Sequence, residues 1–307
     1  MPQSAQSRDT AQSASLGEGV ALGVGATCIW GMFPLVFKTV SHIPALEVLA
    51  HRSAWSLLFV TMLMIVVGRR QEIFTKSFYA FATLKIMALS GLAVAVNWGV
   101  FIWAVAHNQV LQSSLGYYIS PLMSVVLGVV FLHEHLNTRA WLAVTLAAAG
   151  VLVLVINLAM VPWVSIGLAV SWAIYGLVRK TAPVGSLPGL YLETLLLLPL
   201  ALGYIIWLNA FEGGALFGGG LRDSALLAGT GLVTALPLLL FARAARILRL
   251  TTIGLLMYIV PTGQFILAVF VFREPFTAIH LAAFGLIWLG LALYGWDQAR
   301  PHRVAQP

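Results

Sequence analysis

The sequence has little charge. Of its 307 residues, 9% are Asp, Glu, Lys or Arg while 60% are hydrophobic, whereas an ordinary soluble domain is about a quarter charged. A soluble chain of this length needs a polar surface to cover its cores. That surface is missing, so lipid must be the outer solvent. Cysteine is nearly absent as well: Cys28 stands alone, so no internal disulfide can form and the redox compartment is not indicated. The aspartates are Asp9, Asp223 and Asp297 only, none mid-membrane, which excludes the paired buried acids of an aspartic intramembrane protease. A GxxxxGK[ST] loop is lacking, which excludes P-loop ATP hydrolysis. His133, Glu134 and His135 lack the i, i+4 histidine spacing that puts two metal ligands on one helix face. No acid, base and nucleophile come together in the pattern, so neither an enzyme nor a cofactor is expected.

What is present is apolar text in long runs. A helix needs about 20 mostly apolar residues to cross about 30 Å of hydrocarbon. Ten runs approach that: Gly19 to Val40, Ala45 to Val67, Leu84 to Ala106, Val110 to Leu132, Ala140 to Asn157, Trp163 to Val178, Pro188 to Leu208, Ala225 to Ala242, Thr251 to Phe272 and Phe276 to Trp296. A β-barrel would show alternating short segments instead. Residues 1–18 are polar and lack an apolar core, so they read as a disordered cytoplasmic tail, with a second short tail at 297–307.

The net charge of +7 would suggest nucleic acid in a soluble protein, but here the basic residues punctuate apolar runs and report topology. With the N-terminus inside, Arg8, Arg69, Arg70, Lys76, Lys85, Arg139, Arg179, Lys180, Arg243, Arg246, Arg249, Arg300 and Arg303 fall on the inner side. Lys38, Arg222 and Arg273 fall outside, and Arg52 is left within a run. That asymmetry places both termini in the cytoplasm.

An internal repeat divides the chain. An offset of 140 takes Tyr118 to Tyr258, Pro121 to Pro261, Glu134 to Glu274 and Gly150 to Gly290; an offset of 142 takes Gly25 to Gly167, Trp30 to Trp172 and Lys38 to Lys180. Each half (19–157 and 158–296) then holds five spans. Five is odd, so the second half enters the membrane inverted, as in many secondary transporters. The expected fold is an all-α membrane protein of ten helices in two inverted five-helix repeats.

Ionisable groups inside spans are costly and point to function by default. Glu47, His51, Arg52 and Glu193 are candidates for handling substrate charge or a coupling proton, since His and Glu titrate. The bland alternatives are that Arg52 snorkels to the interface and that Glu193 makes a packed polar contact. Asn97, Trp98, Tyr118 and Tyr258 are candidates for the wall of a solute cavity, because aromatic surface with a few hydrogen-bonding groups suits a small organic molecule. Ser114, Tyr117, Tyr118 and Pro121 share one helical stripe; small residues in such stripes also serve close packing. Trp30, Tyr175 and Trp172 lie in the first and sixth runs, where Pro34 and nearby glycines allow a bend. Tryptophan also marks interfaces, but Trp30 is near mid-span. Glu134 and Glu274 are expected to pin helix ends through Arg139 and Arg273.

These residues carry a resemblance. EVLAHRSAWS around His51, NWGVFIWAV around Asn97, SLGYYISPLMSVVLG around Tyr118, YGLVRK after Tyr175, ETLLLLP around Glu193 and LRLTTIGLLMYIVPT around Tyr258 resemble the RarD family, in the EamA branch of the drug/metabolite transporter superfamily. The resemblance runs through nearly the whole chain and implies ten spans, a bacterial inner-membrane location and a permease role toward a small solute. His133, Glu134 and His135 depart from the family's Gly-Glu-Arg run, and Met257 replaces its common glutamine. A membrane sensor or assembly factor is the competing reading, but it would need extramembrane surface for partners, and the longest loop is the Gly-rich Asn209 to Ser224.

Overall fold

The computed structural model describes residues 3–40, 42–73, 79–106, 110–156, 163–211, 220–271 and 278–299, and these are helical nearly throughout, with no strand among them. Backbone in hydrocarbon must satisfy its own hydrogen bonds, and an apolar run does so most simply by coiling. In chain order the helices are α1 (Gln3–Gly31), α2 (Phe33–Thr39), α3 (Ala45–Val66), α4 (Arg70–Ile73), α5 (Phe81–Ala106), α6 (Val110–Leu132) and α7 (Thr138–Ile156). They continue with α8 (Trp163–Thr181), α9 (Ser186–Phe211), α10 (Leu221–Ile247), α11 (Leu250–Leu256), α12 (Ile259–Ile266) and α13 (Ala278–Ala299); a π-helical turn, Leu267–Val271, extends α12. Helix α1 begins at Gln3, so it runs back through the polar stretch that reads as a tail. The run ends at Asn157, Phe272 and Phe276 lie outside the described residues.

Among the described residues, six stretches are long and apolar enough to cross a membrane: Ser15–Val36, Leu46–Val66, Phe81–Phe101, Thr138–Ile156, Ser186–Phe211 and Leu221–Ile247. Two shorter apolar stretches are Gly116–Leu132 and Leu281–Asp297. The expected ninth run differs for a chemical reason. Pro261 has no N–H, so the Met257 carbonyl loses its usual i+4 donor. The chain breaks there into α11 and α12, and the Met257 carbonyl instead accepts from the Val260 N–H at 3.1 Å. Pro34 acts alike in the first run, where helix is interrupted at Met32 between α1 and α2. The residue before the Met32 break packs on the helix that follows the Met257 break: the Cα of Gly31 would lie 3.2 Å from a Cβ on Gly263 of α12.

Small residues set the helix crossings, as expected where lipid removes any hydrophobic drive for helices to associate and close van der Waals contact must do the work. Helices α7 and α13 pack along their lengths. A Cβ on Gly150 would stand 2.7 Å from the Ala283 carbonyl oxygen, and one on Gly290 would stand 2.7 Å from that of Ala143. These two contacts exchange under the 140-residue offset. Likewise Gly231 of α10 lies against Trp55 and Ser56 of α3, while Gly91 of α5 lies against Glu193 of α9. The packed pairs α1 with α10, α5 with α8, α3 with α9 and α6 with α11 complete the bundle.

Lipid-facing and core-facing glycines should therefore respond differently. Gly150→Ala and Gly290→Ala should each lower stability in detergent by about 1–3 kcal/mol, the usual cost of overpacking, whereas Gly203→Ala, with open space around it, should not. Thermal unfolding of the three purified variants measures this; equal melting temperatures would show that the α7–α13 crossing is not tight.

Candidate functional site

The membrane-facing shell is apolar, so the informative groups are the polar ones inside it. Arg179, at the end of α8, is fully buried with 1% of its surface exposed, and Glu193 of α9 is equally enclosed. Arg179 was counted above among the basic residues of the inner edge. It turns inward instead, where its Nη1 stands 3.3 Å from the Glu193 carboxylate. Its Nη2 donates to the Ser186 carbonyl at 2.8 Å, and Met87 Sδ lies 3.6 Å from Nη1. The Ser90 hydroxyl of α5 donates to Glu193 Oε1. Three helices are thus joined at one carboxylate. The site depends on a missing side chain: any Cβ on Gly189 would fall on the Arg179 guanidinium. Adjacent Lys180 takes the other course, donating to the Leu248 and Ala245 carbonyls at the end of α10, where the helix C-terminus favours a cation.

An aromatic cluster lies alongside. Trp30 of α1 meets Trp172 of α8 edge to face with ring centroids 5.1 Å apart, so two residues equivalent under the repeat touch each other. Phe241 of α10 lies 5.5 Å from Trp30 and 5.4 Å from Trp172, and Tyr175 stacks on Phe241 at 5.9 Å. Such pairs contribute about 0.5–1.5 kcal/mol beyond burial. The Tyr175 hydroxyl stands beside Glu193 and Arg179 and interacts with the Glu193 carboxylate without completing a well-formed hydrogen bond. Trp172 Nε1, Arg179 Nε and Tyr258 Oη complete none among the described residues. A buried group left without a partner costs about 1–3 kcal/mol, so each calls for an explanation.

A second charged group sits on α3. Glu47 and His51 are both buried, lie one turn apart and interact electrostatically. Arg52 is half-buried, with its guanidinium carbon 4.1 Å from the centre of the Trp98 ring and Tyr117 nearby. Cation–π contact of this kind gains from desolvation, and it ties α3 to α5. Arg52 therefore has a specific aromatic partner.

The uncharged candidates separate. Asn97 is buried, and its amide donates to the Leu168 carbonyl at 2.8 Å and to Ser171 Oγ at 3.0 Å, which joins α5 to α8. Trp98, Trp30 and Tyr175 belong to or pack against one core cluster. Tyr118 and Tyr258 belong to another, built on α6, α7, α11 and α13, where Tyr118 meets the Phe284 ring at 5.4 Å. Phe241 and Arg179 are the members that sequence reasoning missed. Arg179 had a signal, since Trp172, Tyr175 and Arg179 follow i, i+3, i+7 on one helical face.

Glu134 does pin a helix end, but not through Arg139. Its carboxylate accepts from the Leu250 N–H at 2.6 Å, the Thr251 N–H at 3.0 Å and the Thr251 hydroxyl at 2.6 Å. The open amides at the start of α11 outcompete a flexible surface cation. Arg249 is 3.9 Å away, and Arg139 pairs with Asp297 at 3.0 Å. Arg273 and Glu274 lie outside the described residues.

Removing one partner of a buried ion pair leaves the other uncompensated, at about 3–5 kcal/mol. Arg179→Gln or Glu193→Gln alone should thus destabilise the protein more than Arg179→Gln with Glu193→Gln together. A double-mutant cycle on thermal unfolding measures the coupling, and additive losses would mean that the two charges do not sense each other.

Comparison with known proteins places this geometry. The EamA-like transporter family model matches residues 17–156. An uncharacterized transporter of Pseudomonas aeruginosa is 41% identical over 96% of this chain and 99% of its own length. Protein RarD of Escherichia coli strain K12 is 39% identical over 91% and 94%, and the chloramphenicol-sensitive protein RarD of Pseudomonas aeruginosa is 33% identical over 92% and 95%. A solved crystal structure shares the fold, with a TM-score of 0.70 at 16% identity, covering 93% of this chain and 99% of that one. The relatives' names indicate a transporter rather than an enzyme. With such identity sustained over nearly its whole length, the chain belongs to the RarD family of EamA-like transporters, multi-pass membrane proteins of bacteria.

Proposed function

We propose that this chain is a secondary transporter that exports a small organic solute, such as an amino-acid-like metabolite or an amphipathic drug-like compound, by alternating exposure of one central site. The two inverted halves of five helices form its moving parts, and both termini face the cytoplasm of a bacterial inner membrane. The observation that carries this reading is the buried Arg179–Glu193 pair beside the Trp30–Trp172 contact. Charge is held deep in an apolar protein where a solute would pass between the halves, and such placement is expensive unless it serves a pathway. The exchange of the Gly150–Ala283 and Gly290–Ala143 contacts under one offset supports the repeat.

Glu193 and His51, equivalent under the 142-residue offset, are the proposed carriers of a coupling proton, with Glu47 and Arg52 adjusting the charge around His51. Asn97, Trp98, Tyr118 and Tyr258 are proposed to contribute to the walls.

Untargeted comparison of metabolites inside and outside cells with and without the protein supplies the solute. Flux of that solute through proteoliposomes of purified protein should then rise several-fold under an imposed pH gradient, and Glu193→Gln should abolish the response. Flux indifferent to the gradient would sink the proton coupling; absence of flux for every metabolite whose distribution changes would sink transport itself.

A further inference from the structure

The Trp172, Tyr175 and Arg179 side chains project from one face of α8 and are 6%, 0% and 1% exposed. The Trp172 Nε1–H and the Arg179 Nε–H meet no acceptor among the described residues, and the Tyr175 hydroxyl stands beside the Glu193 carboxylate, interacting with it without completing a well-formed hydrogen bond. Two of the three groups can only donate. The one carboxylate beside them, Glu193, is held at Oε1 by Ser90 and Arg179. What the face lacks is therefore an acceptor, not a donor and not a cation. A guanidinium with its Nε unused can take a second planar oxyanion alongside, or in exchange for, the Glu193 contact. The rings of Trp172, Tyr175 and Phe241 supply flat apolar surface next to it. Seven residues of helix rise about 10.5 Å, which separates the Arg179 end from the Trp172 end by the length of a small aromatic molecule.

Resting on the transport reading, we propose that the solute is an organic monocarboxylate with an aromatic or flat apolar body. Its carboxylate takes the Arg179 Nε–H and the Tyr175 hydroxyl, and an acceptor at its far end takes the Trp172 N–H. Glu193 competes with the solute for Arg179, and Ser90 holds the displaced side chain. An amine or a zwitterion is disfavoured, because its ammonium brings further donors to a face that already has too many and finds its only anion engaged. The proposal thus selects among the organic solutes considered above and excludes cations.

Three probes with one ring separate the chemistries: 4-hydroxyphenylacetate, tyramine and tyrosine, bearing a carboxylate, an ammonium and both. Calorimetric titration of the purified full-length protein should find 4-hydroxyphenylacetate binding at least about tenfold tighter than the other two. Glu193→Gln, which removes the competitor, should tighten it by about a further tenfold, and Trp172→Phe should erase its preference over phenylacetate. Arg179→Gln with Glu193→Gln keeps the region neutral and folded and should lose the preference for the anion altogether. Equal binding of tyramine or tyrosine, full affinity in the double variant, or no binding of 4-hydroxyphenylacetate would overturn the proposal. Uptake into proteoliposomes tells its failure from that of the transport reading. Selective binding with no uptake leaves the anion site standing and removes transport, while uptake of tyramine without binding of the anion does the reverse.

Discussion

In hydrocarbon, a backbone amide or carbonyl without a partner has no water to turn to, and that constraint organises this protein. Among the described residues, the apolar stretches coil into helices nearly throughout. The break at Met257 follows from Pro261, and the break at Met32 accompanies Pro34. Gly31, next to the Met32 break, packs its backbone on α12 just past the Met257 break, against Val260 and Gly263.

Charge obeys the same constraint more harshly. An arginine inside the membrane needs nearly its whole complement of acceptors from the protein. Arg179 receives the Glu193 carboxylate and the Ser186 carbonyl, and Gly189 gives it the room. Arg52 receives an aromatic face instead, while Lys180 ends on the carbonyls that α10 leaves open. Three basic side chains therefore have three different solutions, set by what the neighbours of each offer.

Much of this was legible in residue order. Helix positions follow from apolar runs, and the pairing of Trp30 with Trp172 follows the repeat so closely that equivalent residues touch. Glu193 stood out because a short acidic side chain cannot reach an interface from mid-helix. Arg179 did not, because a basic residue at the end of an apolar run ordinarily ends in water, and only tertiary structure reveals that a glycine on the next helix opens the way inward. Phe241 was hidden for the opposite reason: one phenylalanine among many apolar neighbours has no distinguishing chemistry until packing selects it. The separation of Tyr118 and Tyr258 from Trp30 and Tyr175 was equally invisible, since helical spacing gives the direction of a side chain but not which helix it faces.

Glu193 and His51 are equivalent under the 142-residue sequence offset, yet their partners differ. Glu47 and His51 lie on the same helix, so they travel together however α3 moves. Glu193 reaches across to α8 and α5, so any parting of those helices must separate the ion pair or carry a replacement into it. A cation resting on an aromatic face, as Arg52 does on Trp98, slides at lower cost than a buried ion pair can be opened. The two charged groups are thus held by interactions of unequal strength. Under the proposed transport mechanism, the Arg179 end would open only when something else satisfies its charges.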